Sequence, residues 1–143
     1  MIDKLTTIKG MYQTQIEFQK EVQSKIGYDF SVKDLPEDNV QGFSYHIQQL
    51  MSEIGEVLSA DKRWKNYRNE KLDSENKKEE IADCFIVLMN IAIFSGITPE
   101  EFEESIVNKM AENAQRLQSL KKPVICWEGF CLPCFYFKER KNE

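Results

Sequence analysis

The sequence predicts an all-α fold, a bundle of four or five helices followed by a short non-helical arm. Four stretches place apolar residues three and four positions apart, the spacing that puts them on one face of a helix. Only 6 glycines and 4 prolines occur in the 143 residues, and they lie largely at the junctions between those stretches. We therefore expect one helical domain over residues 1–122 and a separate arm over residues 123–143.

The first two helices are predicted from their apolar stripes. The first helix covers residues 8–26 and carries Ile8, Met11, Tyr12, Ile16, Val22 and Ile26. A connecting loop follows, in which Pro36 cannot continue a helix. The second helix carries Phe43, Ile47, Leu50, Met51, Ile54, Val57 and Leu58. Residues 59–74 are polar and without a clear period, so they are predicted to form a loop or a frayed helix end.

The last two helices are marked by their end signals. The third helix covers Lys77 to Phe94 and ends near Gly96, which suits a C-cap position. Thr98 is a suitable N-cap for the fourth helix, followed by Pro99 at the first helical position and Glu101 completing a capping box. That helix runs to about residue 120, and the aromatic, cysteine-rich sequence after it lacks a helical period.

The overall charge limits the partners that the protein can have. There are 19 basic and 24 acidic residues, a net charge of −5, which argues against a binder of nucleic-acid polymers. The first residues lack the apolar segment of a signal peptide, and no apolar run is long enough to span a membrane. We expect a cytoplasmic protein whose four cysteines are reduced thiols.

Acidic side chains form polar stripes on the second and third helices. At 100° per residue, His46, Gln49, Glu53 and Glu56 fall within a sector roughly 80° wide. On the third helix the corresponding sector is roughly 100° wide. It contains Glu79, Glu80, Asp83 and Asn90. If the two helices pack together, four carboxylates can converge: Glu53, Glu56, Glu80 and Asp83.

Four converging carboxylates cannot all stay ionised in a half-buried site without a compensating cation. An all-oxygen set suits Mg²⁺ or Mn²⁺, and magnesium also binds phosphate oxygens. The spacing therefore suggests metal-assisted phosphate chemistry. The alternative is that these acids lie by chance on solvated helix faces, which is common in a chain with 30% charged residues.

Asn90 is a polar residue within an apolar run, flanked by Leu88, Met89, Ile91 and Ala92. A buried amide must find hydrogen-bond partners. It is therefore either a contact to a ligand or a core amide satisfied by other side chains.

These residues resemble a known family. "EIGEVL" followed by "EEIADCFIVLMNI" is similar to the all-α nucleoside triphosphate pyrophosphohydrolases, the superfamily of MazG and the dimeric dUTPases. The resemblance extends to "NKMAENAQRL" in the fourth helix and covers roughly residues 45–117, with a looser match over the first helix. It implies a MazG-like bundle that cleaves a nucleoside triphosphate between the α and β phosphates, with dUTP or a related pyrimidine deoxynucleotide favoured.

The resemblance also implies roles for individual residues. Glu53, Glu56, Glu80 and Asp83 would hold Mg²⁺, and by its position Glu53 would activate the attacking water. Three residues of the fourth helix would contact the phosphates: Lys109, Asn113 and Arg116. For the two basic residues among these, the alternative is an exposed position near a helix C-terminus, where they favour the helix dipole.

Contacts to the base or sugar are predicted for Asn90, Trp64, Lys65, Gln19 and His46. Trp64 and Lys65 follow the first acid pair, where related enzymes carry an aromatic and a basic residue. The alternative for Trp64 is a side chain that covers the end of the bundle. For His46 it is a surface or supporting group.

The tail contains C-x4-C-x2-C, formed by Cys126, Cys131 and Cys134, which resembles part of a zinc site. Only Cys84 or His46 remains as a fourth ligand, and both lie in predicted helices. A packed aromatic arm, for example at a subunit contact, is the preferred interpretation.

The third helix is apolar nearly all round, which suggests burial between helices or between subunits, and we expect a homodimer or homotetramer. The alternative to an enzyme is a protein of a different class, a non-catalytic helical dimerisation or regulatory module.

Overall fold

The computed structural model describes residues 6–65 and 72–119, and within them the fold is all-α, as predicted. Four α-helices are present: α1 (Ile8–Lys25), α2 (Val40–Ala60), α3 (Ser74–Ile93) and α4 (Pro99–Ser119). A short 3₁₀ turn, Lys62–Trp64, follows α2, and no strand occurs in these residues. The predicted domain boundary at residue 122 and the tail cysteines lie outside the described residues. No helix in the described part is long and apolar enough to cross a membrane.

Side-chain caps define where the helices begin. Thr7, Asn39 and Asp73 each accept a hydrogen bond from the backbone N–H three residues further on, which satisfies one of the free donors of a helix start. The capping box of α4 is confirmed. Glu101 accepts from both the N–H and the hydroxyl of Thr98 at 2.8 Å, and its own N–H donates to that hydroxyl at 3.3 Å.

The polar stretch after α2 is shorter than predicted, because α3 begins at Ser74, three residues before the expected start, with Asp73 as its cap. Asp61 joins the two sides of this connection. It accepts from Arg63 at 2.7 and 2.8 Å and from Lys77, in the first turns of α3, at 2.6 Å. These hydrogen bonds hold the pKa of the Asp61 carboxyl well below its usual range. The end of α2 is thereby tied to the beginning of α3.

The chain divides into two compact units, residues 1–104 and 105–143. In the first unit α2 and α3 pack against each other, and α1 packs against α3. The core lies around the second half of α3 and consists of Tyr12, Ile16, Leu35, Met89, Ala92, Ile93 and Phe94. The Tyr12 hydroxyl donates to the Ile97 carbonyl at 2.7 Å, so it is satisfied within the core.

Two glycines stand where a side chain would not fit. Gly96 follows α3 with φ of 72°, a left-handed conformation, and its N–H donates to the Ile93 carbonyl at 3.2 Å. The C-cap predicted near Gly96 is confirmed. Gly42, in the first turn of α2, lies against the fully buried ring of Phe94, and a Cβ at this position would overlap that ring.

The apolar character of α3 does not lead to burial along its whole length. Ile81, Phe85 and Leu88 are exposed, and they are spaced for one helix face. Helix α2 presents a similar exposed row, Met51, Ile54 and Leu58. The first unit thus carries apolar faces that its own core does not cover.

Candidate active site

A cavity of about 220 Å³ lies among α1, α2 and α3 in the first unit. Glu53 and Asp83 line it, and so do His46 and Asn90. On each of α2 and α3 the acid and the second polar residue are seven positions apart, which leaves them on the same face about 10 Å from each other. The cavity therefore has an acidic end and an end lined by amide and imidazole groups, separated by two helical turns.

Three carboxylates lie together at the acidic end, and two of them, Glu53 and Asp83, line the cavity. Glu53, Glu80 and Asp83 each place a carboxylate oxygen within 4.8 Å of the others. Glu53 and Glu80 are half-buried and Asp83 is exposed. Within residues 6–65 and 72–119, no lysine, arginine or histidine forms an ion pair with any of the three. This part of the cavity thus carries uncompensated negative charge.

The electrostatics of the acidic end follow from that charge. Burial raises the pKa of Glu53 above its ordinary value, and the negative charges of Glu56 and Asp83 raise it further. Burial also raises the pKa of Glu80, and the negative charges of Glu56, Asp83 and Glu53 raise it further. Glu56 is exposed and lies outside the group of three, but its charge acts on both glutamates.

The donor set of this cluster suits a hard divalent cation. It consists only of carboxylate oxygens, the ligands that Mg²⁺ takes in proteins, and it includes half-buried groups whose mutual repulsion a cation would relieve. The structure brings together three of the four predicted ligands, Glu53, Glu80 and Asp83, and leaves Glu56 beside them.

At the opposite end, Asn90 is only 3% exposed and is held by two glutamines of α1. Its Oδ1 accepts from Gln15 Nε2 at 2.8 Å and from Gln19 Nε2 at 2.9 Å. The Tyr28 hydroxyl in turn donates to Gln19 Oε1. In the described part of the chain, the amide nitrogen of Asn90 has no hydrogen-bond partner. Asn90 therefore combines the two interpretations, because one end of its amide is satisfied by the core and the other end is a free donor.

His46 is 2% exposed, which excludes the interpretation of a surface histidine. Its ring packs against Phe94 with centroids 4.9 Å apart, and its Nδ1 lies 3.0 Å from Gln49 Oε1. Burial lowers the pKa of His46, so the neutral ring is favoured. With Nδ1–H donating to Gln49, Nε2 is an acceptor, and it is buried without a partner among the described residues.

Comparison with protein families assigns the chain. A family model described as dUTPase matches residues 7–128, most of the sequence. The chain belongs to this dUTPase family. The family is the all-α, dimeric-dUTPase-like group related to MazG, so the resemblance found in the sequence is confirmed. Comparisons with curated proteins and with solved structures find no match.

Membership of the dUTPase family supports a hydrolase that acts on nucleoside triphosphates. Members of the family generally bind a divalent metal, which agrees with the acidic cluster of Glu53, Glu80 and Asp83.

The structure does not bring Trp64 and Lys65 into this cavity. Trp64 is exposed and lines a separate depression of about 440 Å³ with Arg63 and Lys77. Lys65 Nζ lies 5.2 Å from the centroid of the Trp64 ring, close enough for a cation–π contact. The roles in base or sugar binding that the resemblance gives these two residues stay predictions.

The predicted phosphate contacts, Lys109, Asn113 and Arg116, are exposed on the part of α4 that belongs to the second unit. Lys109 pairs with Glu112 at 2.8 Å, and Arg116 lies 3.5 Å from the same carboxylate. Both are ordinary exposed pairs within one helix. Their roles in phosphate binding also stay predictions.

Tyr28 and Tyr45 are among the lining residues that sequence reasoning missed. Tyr28 lies in the connection between α1 and α2, where no periodic pattern marks a residue as inward-facing. Tyr45 is 51% exposed and borders the cavity from α2. Gln15 and Gln19 left a usable signal, because two glutamines one turn apart beside buried Ile16 must find partners.

Proposed function

We propose that this protein is a Mg²⁺-dependent nucleoside triphosphate pyrophosphohydrolase. It cleaves its substrate between the α and β phosphates, giving a nucleoside monophosphate and pyrophosphate, and it favours dUTP or a related pyrimidine deoxynucleotide. The observation that carries the proposal is the two-ended cavity. Its carboxylate cluster lies two helical turns from a fixed hydrogen-bond donor, Asn90, a spacing that suits a nucleoside between its phosphate and its base.

Glu53, Glu80 and Asp83 would hold the ion, with Glu56 adding negative charge beside them, and Mn²⁺ fits the same ligands. A divalent ion supplies positive charge that neutralises phosphate oxygens and lowers the pKa of a water molecule. Glu53 offers one carboxylate oxygen to the cluster, and its other oxygen accepts the proton of the attacking water. Lys109 and Arg116 stabilise the triphosphate charge and Asn113 adds a polar contact, roles that rest on the family resemblance.

The base end of the cavity supports a pyrimidine with an imide edge. The Asn90 amide nitrogen donates to a base carbonyl, and His46 Nε2 accepts from a base N–H. A carbonyl beside an N–H is what uracil presents, whereas cytosine presents an amine and an unprotonated ring nitrogen. Gln19 donates to the Asn90 oxygen and so holds the Asn90 amide in place. Trp64 and Lys65 would act on the nucleotide only as the resemblance implies.

We also propose that the protein is a homodimer or a homotetramer. The exposed rows Met51, Ile54 and Leu58 on α2 and Ile81, Phe85 and Leu88 on α3 support this, because a second copy would cover them. Sedimentation velocity tests it, and a single monomeric species at micromolar concentration would contradict it. The same rows favour the second candidate function, a non-catalytic helical dimerisation module.

Product analysis separates the two functions. The purified protein is incubated with each deoxynucleoside triphosphate, with Mg²⁺ or with EDTA, and the products are separated by anion-exchange chromatography. We expect dUMP and pyrophosphate from dUTP in the presence of Mg²⁺ and no turnover in EDTA. Release of dUDP and phosphate would place the cleavage at the wrong bond. No product from any substrate with Mg²⁺ or Mn²⁺ would leave the dimerisation module as the better interpretation.

A further inference from the structure

Tyr28 is joined to Asn90 by a directed series of hydrogen bonds. Its hydroxyl donates to Gln19 Oε1, and Gln19 Nε2 donates to Asn90 Oδ1 at 2.9 Å. A side-chain amide has an acceptor end and a donor end, so while the hydroxyl donates, the direction of the first bond determines the direction of the next. In the observed direction, the Asn90 amide nitrogen is the end left for the cavity.

The opposite direction would present the opposite chemistry. If the Gln19 amide turned over, its Oε1 would face Asn90, and Asn90 would have to direct its amide nitrogen inward to donate. The Asn90 oxygen would then face the cavity. A donor at this position matches the carbonyl of uracil, whereas an acceptor matches the exocyclic amine of cytosine. Gln15 Nε2 also donates to Asn90 Oδ1, at 2.8 Å, and favours the observed direction. The orientation of the Gln19 amide, together with that of Gln15, therefore decides which base is preferred.

Ring packing fixes the position of the Tyr28 hydroxyl beside Gln19. Its ring stacks on Phe30 with centroids 4.8 Å apart and packs edge-on against the buried Phe94 at 5.7 Å. Burial raises the pKa of Tyr28 to about 12, so the hydroxyl keeps its proton throughout the neutral range. The ring packing and the hydroxyl are separable, because phenylalanine keeps the first and removes the second.

We propose that Tyr28 is a positioning residue for base selectivity, whose hydroxyl orients the Gln19 amide and through it the Asn90 donor that reads the base. This inference rests on the proposed function and deepens it, since it names what determines the preference for uracil over cytosine. Tyr28 acts through Gln19 and Asn90, so it does not contact the reacting phosphates.

The test compares Tyr28→Phe with a matched loss of a buried hydroxyl elsewhere. We expect Tyr28→Phe to lower the ratio of kcat/KM for dUTP to that for dCTP about tenfold, the factor that one well-formed hydrogen bond can supply. The change should lie in KM, with kcat for dUTP within about twofold of the wild-type value, because chemistry occurs at the other end of the cavity. Tyr12→Phe removes the hydroxyl that donates to the Ile97 carbonyl, lowers stability and leaves the ratio unchanged.

A second variant keeps the test decisive if Tyr28→Phe does not fold. Gln19→Glu has the size of the native side chain but only acceptor oxygens, so Asn90 can bond to it only by donating. Asn90 would then direct its own oxygen to the cavity and give up the hydrogen bond from Gln15 Nε2. We expect this variant to prefer dCTP relative to wild type. An unchanged dUTP to dCTP ratio in either folded variant overturns the proposal.

Binding of the monophosphates separates this inference from the proposed function. Calorimetry with dUMP and with dCMP measures base preference without any turnover. If no triphosphate is hydrolysed but wild type prefers dUMP and Tyr28→Phe loses that preference, the proposed function fails and the role of Tyr28 stands. If wild type shows no preference between the two monophosphates, the role of Tyr28 is wrong whatever the activity.

Discussion

The two ends of the cavity are built on opposite principles. At the base end, Asn90 receives hydrogen bonds from Gln15 and Gln19, so the protein itself satisfies the amide oxygen and orients the amide. At the acidic end, Glu53 and Glu80 have raised pKa values because burial and neighbouring negative charges disfavour their ionised forms. The first end is oriented by the chain's own hydrogen bonds and leaves the Asn90 amide nitrogen and His46 Nε2 for a ligand, while the second requires a cation to become favourable.

This difference explains how each end of the cavity selects what it binds. A base end held by internal hydrogen bonds is preorganised, so it discriminates by the fixed direction of its donors. An acidic end without basic partners, within residues 6–65 and 72–119, gains its favourable state only from bound positive charge. Variants should therefore affect binding of the base or the chemistry of the phosphates, depending on the end that they alter.

The largest effect is expected from Glu53→Gln, which breaks the acidic end alone. Loss of the group that accepts the proton of water should lower kcat for dUTP at least about 100-fold, the lower limit for a general base. The preference for dUMP over dCMP in binding should stay, because Asn90 is unchanged. Stopped assays of pyrophosphate release and calorimetry measure the two quantities.

Glu79→Gln is the matched control for that variant. Glu79 is an exposed carboxylate of α3, next to Glu80 in sequence but outside the cluster of three. Its kcat should lie within about twofold of wild type, as expected for a surface substitution that touches no special feature. Equal losses in both variants would show that the negative charge of α2 and α3 in general, and not the cluster, sustains activity.

The sequence predicted the acidic end well because helical periodicity is enough to place it. Glu53, Glu80 and Asp83 follow from 100° per residue and from one assumption, that α2 packs against α3. Glu56 satisfies the same arithmetic but is exposed outside the group, since periodicity gives the direction of a side chain and not its distance from a neighbouring helix.

The base end could be predicted only in part. Asn90 was found because a buried amide needs partners, and Gln19 was found from the looser family resemblance over the first helix. Their actual hydrogen bonds join α1 to α3 across more than seventy positions, and Tyr28 enters from a connection without any period. Such contacts depend on tertiary packing, which no local pattern encodes. For the same reason, the expected neighbour Trp64 lines a different depression, and Lys65 Nζ lies over the Trp64 ring.

A smaller effect is expected from Gly42→Ala, which disturbs the base end through its packing. The new methyl group would overlap Phe94, on which the His46 ring lies. We expect a loss of about 1–3 kcal/mol in unfolding free energy, the usual cost of overpacking a core. The affinity for dUMP should fall, while Mg²⁺ binding to the metal cluster should be retained. Urea unfolding and calorimetry check both.

Gly55→Ala is the corresponding control on the same helix. No atom lies within 4 Å of a Cβ at Gly55, so alanine meets open space. Because alanine favours a helix interior more than glycine does, this variant should gain roughly 0.5–1 kcal/mol in stability. A loss at Gly55 similar to that at Gly42 would contradict the explanation from contact with Phe94.

The smallest effect is a pH dependence of opposite sign at the two ends, measured in EDTA. The pKa of His46 is lowered from its ordinary value of 6.5, so its contribution to stability is present above pH 6.5 and is lost as the pH falls below it. The pKa of Glu80 is raised from its ordinary value of 4.5, so its contribution to stability is present below pH 4.5 and is lost as the pH rises above it.

The unfolding free energy of wild type minus that of His46→Gln should therefore decrease on acidification from pH 7. The same difference for Glu80→Gln should increase, and Mg²⁺ should abolish the second trend but not the first. Trends of equal sign in urea unfolding between pH 7 and pH 5 would mean that the two ends are not electrostatically distinct.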